Sequence, residues 1–166
     1  MATETERKFL VLDDSYKHEA FSCSRIRQGY ILSAGGRTVR IRLRDDRAYL
    51  TIKGPSDASG LSRYEFEQQI PFADGEYMLQ HLCEPGVVDK TRWLVKSGSH
   101  VFEVDEFHGL NAPLVMAEVE LQSEDEPYVK PAFVGREVTG DRRYYNGHLS
   151  RCPYSVWGTR NPAERG

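Results

Sequence analysis

Glu4-Thr5-Glu6-Arg7-Lys8-Phe9-Leu10-Val11-Leu12 stands near the start of the chain, with charge at alternate positions running into an apolar stretch. Alternate side chains of an extended segment share a face, so Glu4, Glu6 and Lys8 form one row. That row holds two acids and a base within about 14 Å of strand. A carboxylate pair can hold a hard cation, and a neighbouring ammonium can hold the phosphate that travels with it. A single row of this kind is also what a solvated sheet face looks like. Its weight comes from repetition.

The alternation recurs along the chain. Arg40, Arg42 and Arg44 alternate with Val39, Ile41 and Leu43, and Thr51 and Lys53 with Leu50 and Ile52. Glu65 and Glu67 alternate with Tyr64 and Phe66, and Lys90, Arg92 and Lys96 are set against Trp93 and Val95. Glu103 and Asp105 lie opposite Phe102 and Val104, and Glu118 and Glu120 opposite Ala117, Val119 and Leu121. Segments near 3–12, 24–32, 37–45, 47–54, 61–70, 88–96, 100–107 and 113–121 read as strands between turn residues. Asp45-Asp46 forms a hairpin turn and Gly54–Gly60 a loop. Residues 73–83 are expected to be helical, with Asp74 as N-cap and Met78, Leu79 and Leu82 on one face. A turn of helix is expected within 123–134, broken by Pro127 and Pro131, and a short helix over 141–150. This divides the chain into one domain over 1–150 and a C-terminal tail over 151–166.

Eight strands predict a mainly β fold, a closed antiparallel barrel or a sandwich with a few peripheral helices. Two versions of a barrel satisfy the pattern. One has an apolar lumen and a charged exterior; the other is inverted, with charge inside and apolar outer faces under helices and loops. Periodicity is the same for both. A lumen of mixed charge is costly unless the charges pair or hold ions, so the inverted version implies a ligand.

The chain has 166 residues and a formal net charge of −3, which suits one domain with a real core. That balance gives no bulk electrostatic case for nucleic acid or an acidic membrane. Cys23, Cys83 and Cys152 are far apart and lack metal-ligand spacing, which suits a reducing cytosol. No signal-peptide pattern and no membrane-spanning run is present, so a soluble, cytoplasmic protein is expected.

Glu4-x-Glu6-x-Lys8, Arg42-x-Arg44, Lys53, Glu65-x-Glu67, Lys90-x-Arg92 and Glu118-x-Glu120 occur in one order and parity over about residues 2–150. Together they resemble the CYTH superfamily, the triphosphate tunnel metalloenzymes. Glu6-Arg7-Lys8-Phe9-Leu10-Val11, Arg27-Gln28-Gly29-Tyr30, Leu61-Ser62-Arg63 and Lys90-Thr91-Arg92 resemble its short bacterial branch, which includes inorganic triphosphatases. The resemblance implies an eight-stranded antiparallel closed barrel, the inverted version, whose lumen takes a triphosphate. Lys8, Arg42, Arg44, Lys53 and Arg92 would then hold phosphate oxygens. Arg142 and Arg143 would close one mouth, with Arg143 contributing to substrate binding.

The resemblance also implies Mg²⁺ or Mn²⁺ held by Glu4, Glu6, Glu118 and Glu120, with Glu65 and Glu67 next. Tyr30 and Lys90 would orient or deprotonate the attacking water, the lysine beside the phenol, with an alkaline optimum. Glu103 and Asp105 would pair with lumen bases. Arg40 departs from some relatives, which have an acidic or neutral residue there. Hydrolysis of the terminal phosphoanhydride of inorganic triphosphate is the leading expectation. A class IV-type adenylate cyclase and a non-catalytic polyphosphate- or nucleotide-binding module remain alternatives. A homodimer is left open.

Overall fold

The computed structural model describes residues 3–157. Its strands are β1 (Thr3–Val11), β2 (Ser22–Ala34), β3 (Arg37–Arg44), β4 (Arg47–Ser56), β5 (Ser62–Ile70), β6 (Val88–Ser97), β7 (His100–Phe107), β8 (Val115–Leu121) and β9 (Val134–Glu137). All pair antiparallel, in the order β5-β4-β3-β2-β6-β7-β8-β1-β9, and an added β1–β5 pairing closes the first eight strands into a barrel. Closure rests on a short seam. Thr3, Glu4 and Thr5 pair with Tyr64, Arg63 and Ser62, and the Thr5 and Ser62 hydroxyls are 2.7 Å apart.

The expected eight strands are present, and their connections follow the turn residues. Arg44 pairs with Arg47 across Asp45-Asp46, and Asp45 takes a φ of 53°, which Asp tolerates in a tight hairpin. The ninth strand was not expected. It continues the sheet along the β5 edge of β1, beyond the seam, where Phe9 pairs with Glu137 and Val11 with Val134. It was invisible as a strand because four residues are too few to show an alternation. The stretch 122–133 carries no helix; its prolines leave it in turns and extended chain.

Four short helices are present among the described residues, α1 (Tyr16–Glu19), α2 (Phe72–His81), α3 (Asn146–Arg151) and α4 (Tyr154–Trp157), with α1 and α2 on the outer face of the barrel and α3 at one end of it. Helix α2 starts after Pro71, so Asp74 sits in its first turn rather than at its N-cap. The segment expected as one helix over 141–150 splits into a 3₁₀ turn at Arg142–Tyr144 and α3. Residues 154–157 pack back on the fold, Trp157 against the Tyr144 and Tyr154 rings; the rest of the expected tail, 158–166, lies outside the described residues. No described helix is long and apolar enough to cross a membrane.

The apolar residues settle which way the barrel faces. Phe9, Phe102, Val104, Val119, Leu121 and Val95 point outward and are covered by Tyr16, Phe133 and Val134. Ile41, Leu43 and Ala48 likewise point outward under Leu79 of α2, with Phe72 and Met78 beside it. The charged parity therefore faces in. At one end that same parity turns apolar: Leu10, Val88, Phe107 and Met116 gather with Val138, Tyr144 and Leu149 from the C-terminal segment. This plug seals part of one barrel end, with Leu149 fully buried in it. Leu149→Ala should cost about 2–5 kcal/mol, as a large-to-small change in a packed site does. Urea denaturation measures it; an unchanged midpoint would mean the plug is not packed as described.

Candidate functional site

Lumen-facing parity brings the alternating charges into one cavity of about 420 Å³. Among the described residues, eleven lysines and arginines line it against seven glutamates, a formal excess of four positive charges in a chain whose net charge is −3. Of the fourteen residues singled out from sequence, all but Arg143 line this cavity. Arg143 instead donates to its near neighbour Asp141 through Nε and Nη2 (3.0 and 2.6 Å) and lies over the Tyr144 and Trp157 rings. Successive side chains of a 3₁₀ turn diverge by about 120°, so Arg142 and Arg143 cannot both face the mouth. Arg142 takes the cavity side.

Around the barrel, β3 and β8 are four strands apart in either direction. The arginine row of β3, Arg40, Arg42 and Arg44, therefore faces the wall of β8 and its neighbour β1, which carries Glu118, Glu120, Glu4 and Glu6. The two walls stand on opposite sides of the cavity. Register holds the acid wall together, with Glu6 opposite Glu120 and Lys8 opposite Glu118. Lys8 Nζ lies 3.8 Å from Glu6 and 3.6 Å from Glu118. Lys53 donates to both oxygens of Glu4 (2.8 and 3.0 Å) and lies 3.8 Å from Glu65. Glu67 accepts from Thr51 at 2.9 Å and lies 3.5 Å from Arg40.

The neighbouring wall is fully paired. Asp105 accepts from Lys90 (2.7 Å) and from Arg92 Nε and Nη2 (2.8 and 2.9 Å), and Glu103 accepts from Arg92 Nη1 (2.6 Å). This is the pairing expected for Asp105 and Glu103. Lys90 also donates to Asn146 Oδ1 at 2.9 Å. Tyr30 Oη accepts from Gln28 Nε2 at 3.2 Å, and Gln28 Oε1 in turn accepts from Arg42 Nε at 2.8 Å. The direct lysine–phenol pairing expected from sequence gives way to these bonds. Lys90 lies opposite Ile26 in the β2–β6 ladder, four residues along β2 from Tyr30.

The electrostatics divide by wall. Burial, with Glu118 nearby, pushes Glu6 up to about 7, and burial also raises Glu4 and Glu120. Burial opposes ionisation of Glu118 too, but Lys8 and the other lumen cations overcome it and hold that group at about 2. Arg92 and Lys90 likewise outweigh burial and keep Asp105 well below the usual carboxylate range. Burial lowers Lys90 to about 7, with Arg92 and Arg42 adding to it against the pull of Asp105. Burial, then Arg40 and Arg92, brings Arg42 down to about 9, still a cation at neutral pH. Glu4, Glu6 and Glu120 are thus short of positive charge while Glu118 is not, and across the cavity Arg42 is short of negative charge.

Several lining residues escaped the sequence reading. Arg63 shares parity with Glu65 and Glu67 and lies 3.7 Å from Glu4; extending the alternation by one step would have found it. Arg40, named from sequence as part of the arginine row but given no role there, is buried among the lining residues and donates to Thr51 at 3.1 Å, while its Nε has no hydrogen-bond partner among the described residues. Gln28 is fully buried and orders both Tyr30 and Arg42. Tyr145 and Asn146 sit in irregular chain before α3, where no periodicity exists to flag them.

Comparison with known proteins agrees with this geometry. The CYTH domain model matches residues 2–145. An inorganic triphosphatase of Acetivibrio thermocellus is 44% identical over 154 residues, covering 93% of this chain and 97% of the relative. One from Nitrosomonas europaea is 37% identical over 152 residues, covering 89% and 97%. Among solved structures, the inorganic triphosphatase NE1496 superposes with a TM-score of 0.63 at 34% identity, covering 90% of this chain and 95% of that one. Sequence motifs, barrel and family match converge: the chain belongs to the CYTH domain family, the triphosphate tunnel enzymes.

Proposed function

We propose that this protein hydrolyses the terminal phosphoanhydride of inorganic triphosphate inside the barrel, with Mg²⁺ or Mn²⁺. The observation that carries this reading is the pair of opposed walls. A triphosphate, with roughly four to five negative charges near neutral pH, matches the excess of positive charge in the lining. Arg40, Arg42, Arg44, Lys53 and Arg92 would take its oxygens, with Lys8 reaching from the acid wall. Among the described residues the aromatic rings of the lining are those of Tyr30, Tyr145 and His148, set among charged side chains rather than in an apolar bed for a nucleobase, which favours the inorganic substrate over a nucleotide.

The acid wall suits a hard cation. Glu4, Glu6, Glu118 and Glu120 supply oxygen donors, and the raised Glu6 marks negative charge awaiting compensation. Among the described residues no group of three or more such side chains is poised as a complete metal site. Mg²⁺ needs only one or two carboxylates when substrate phosphates and water complete its shell, so the donors fit an ion that arrives with the substrate. When bound, that ion would neutralise charge on the phosphates. Glu65 and Glu67, beside Lys53 and Arg40, would serve through water or by orienting those cations.

Hydrolysis also needs a positioned water. Tyr30 Oη, held by Gln28, presents a hydroxyl to the cavity. Lys90, lowered to about 7, is a base that is partly neutral at physiological pH. Together they would orient the water and take its proton, while the arginine row stabilises charge on the transferring group.

The deciding experiment supplies tripolyphosphate, ATP, thiamine triphosphate and pyrophosphate with Mg²⁺ or Mn²⁺. Tripolyphosphate should give orthophosphate and pyrophosphate fastest; cyclic AMP as the main product from ATP, or no turnover of tripolyphosphate, would overturn the reading.

Two further outcomes are expected. Tyr30→Phe should lose about 10²-fold in kcat with KM little changed, and the wild-type rate should rise through pH near 7, set by Lys90, rather than near 10. A full-rate Tyr30→Phe enzyme would remove the phenol from the mechanism.

Glu6 makes a separate prediction for the metal-free protein. Its folded-state value lies above the ordinary 4.5, so its stabilising contribution is full below that value and fades as pH rises through about 7. Glu6→Gln has no such proton to lose. Its metal-free form should therefore melt above wild type at pH 8, by up to about 3 kcal/mol in stability, and match it only below the ordinary 4.5, while turnover is lost. Equal pH dependence of the two melting curves would refute the charge-starved acid wall.

A further inference from the structure

Eight strands build the lumen, yet two consecutive residues from beyond them reach its cations. Tyr145 follows the 3₁₀ turn and Asn146 begins α3. The Tyr145 ring lies against two lumen cations, with Lys8 Nζ 4.6 Å and Arg63 Cζ 5.2 Å from its centroid. Its hydroxyl is 3.2 Å from Ser56 Oγ, at the end of β4. Asn146 Oδ1 accepts from Lys90 Nζ at 2.9 Å. The next residue, Gly147, packs so closely on Ser33 that a Cβ would lie 2.6 Å from its hydroxyl, with the Tyr30 ring 3.8 Å away.

We infer that Tyr145 and Asn146 are positioning residues for the lumen cations, Tyr145 aiming Lys8 and Arg63 at the phosphates and Asn146 aiming Lys90 at the attacking water. This rests on the proposed hydrolysis of triphosphate. The physical need is plain. Lys8 is drawn toward Glu6 and Glu118, and Arg63 toward Glu4, so each has a carboxylate competing with any phosphate. A π face attracts a cation without neutralising it and leaves its N–H groups to donate elsewhere. The ring therefore holds both cations in place while keeping them available to an anion. Asn146 plays the matching part for Lys90. Asp105 fixes one N–H of that ammonium, and the neutral amide oxygen fixes a second without adding charge. Both residues lie in chain that carries no alternation, and Asn146 falls just past the stretch matched by the family model.

Kinetics and binding on four variants test this. Tyr145→Phe keeps the ring and should stay within about twofold of wild type in KM and kcat. Tyr145→Leu and Tyr145→Met remove the π face; both should raise KM for tripolyphosphate about tenfold, the scale of a partly desolvated cation–π contact. Calorimetric Kd for tripolyphosphate without metal should rise in parallel. Asn146→Ala should lower kcat about tenfold or more, with KM within about threefold, because a hydrogen bond to a charged group is lost. Melting temperatures identify any variant that fails to fold, and the second aliphatic variant then stands in for the first.

Tyr145→Leu or Tyr145→Met binding tripolyphosphate as tightly as Tyr145→Phe would overturn the role of the ring. Asn146→Ala with wild-type kcat, or with KM and kcat moving together, would overturn that of the amide. Wild-type protein that binds tripolyphosphate without hydrolysing it would refute the proposed reaction, and the calorimetric comparison would still decide the role of Tyr145.

Discussion

A barrel filled with ions holds together only if each buried charge finds a partner or a ligand, and that requirement shapes the rest of this molecule. Taking an ion out of water costs several kcal/mol unless geometry and hydrogen bonds return it. Asp105 meets the requirement on one side of the lumen, accepting from both Lys90 and Arg92. The arginine row of β3 and the acids of β1 and β8 do not meet it fully, because the cavity separates them. Under the proposed function, an anion against the arginines and a cation against the acids would close that gap. The lumen is thus divided into one wall whose charges pair among themselves and two walls whose charges face each other across the cavity.

Facing charge inward forces the apolar parity of every strand outward, and the peripheral elements follow from that. Helix α2 covers Ile41, Leu43 and Ala48, while α1 and the chain around Phe133 cover the outer face of β1, β6, β7 and β8. The hydrophobic effect that stabilises the fold therefore acts mainly on the outside of the barrel and at its plugged end, not in its middle. This lets one sheet serve two purposes: the outward residues hold the barrel in shape, and the shape fixes the inward residues around the cavity. The C-terminal segment belongs to both. Tyr144 and Leu149 enter the plug, and the residues between them, Tyr145 and Asn146, touch Lys8, Arg63 and Lys90.

Much of this is legible in the chain because strand geometry is a period-two code. Glu4-x-Glu6-x-Lys8 and Arg42-x-Arg44 each name residues that share a face whatever the sheet does, and the cavity collects them. Arg63 obeys the same code one step before Glu65. Arg143 shows where the code stops: adjacent to Arg142 in a 3₁₀ turn, it cannot follow a strand's alternation and turns to Asp141. Tyr30 and Lys90 show another limit, since their parity is right but their hydrogen-bond partners, Gln28 for one and Asp105 with Asn146 for the other, depend on register between strands.

By itself the sequence determined the strands, the sharing of faces and the segregation of charge from apolar residues, because these are local consequences of backbone geometry. It could not decide which face turns inward, since an alternation reads identically from either side. Only the tertiary structure decided that, through helices and loops that cover the apolar face and leave the charged one enclosed. It also decided which acids are paired and which are left wanting. Pairing is a matter of distance across the barrel: Lys53 and Glu4, or Lys90 and Asn146, are far apart in the chain and meet only in the fold.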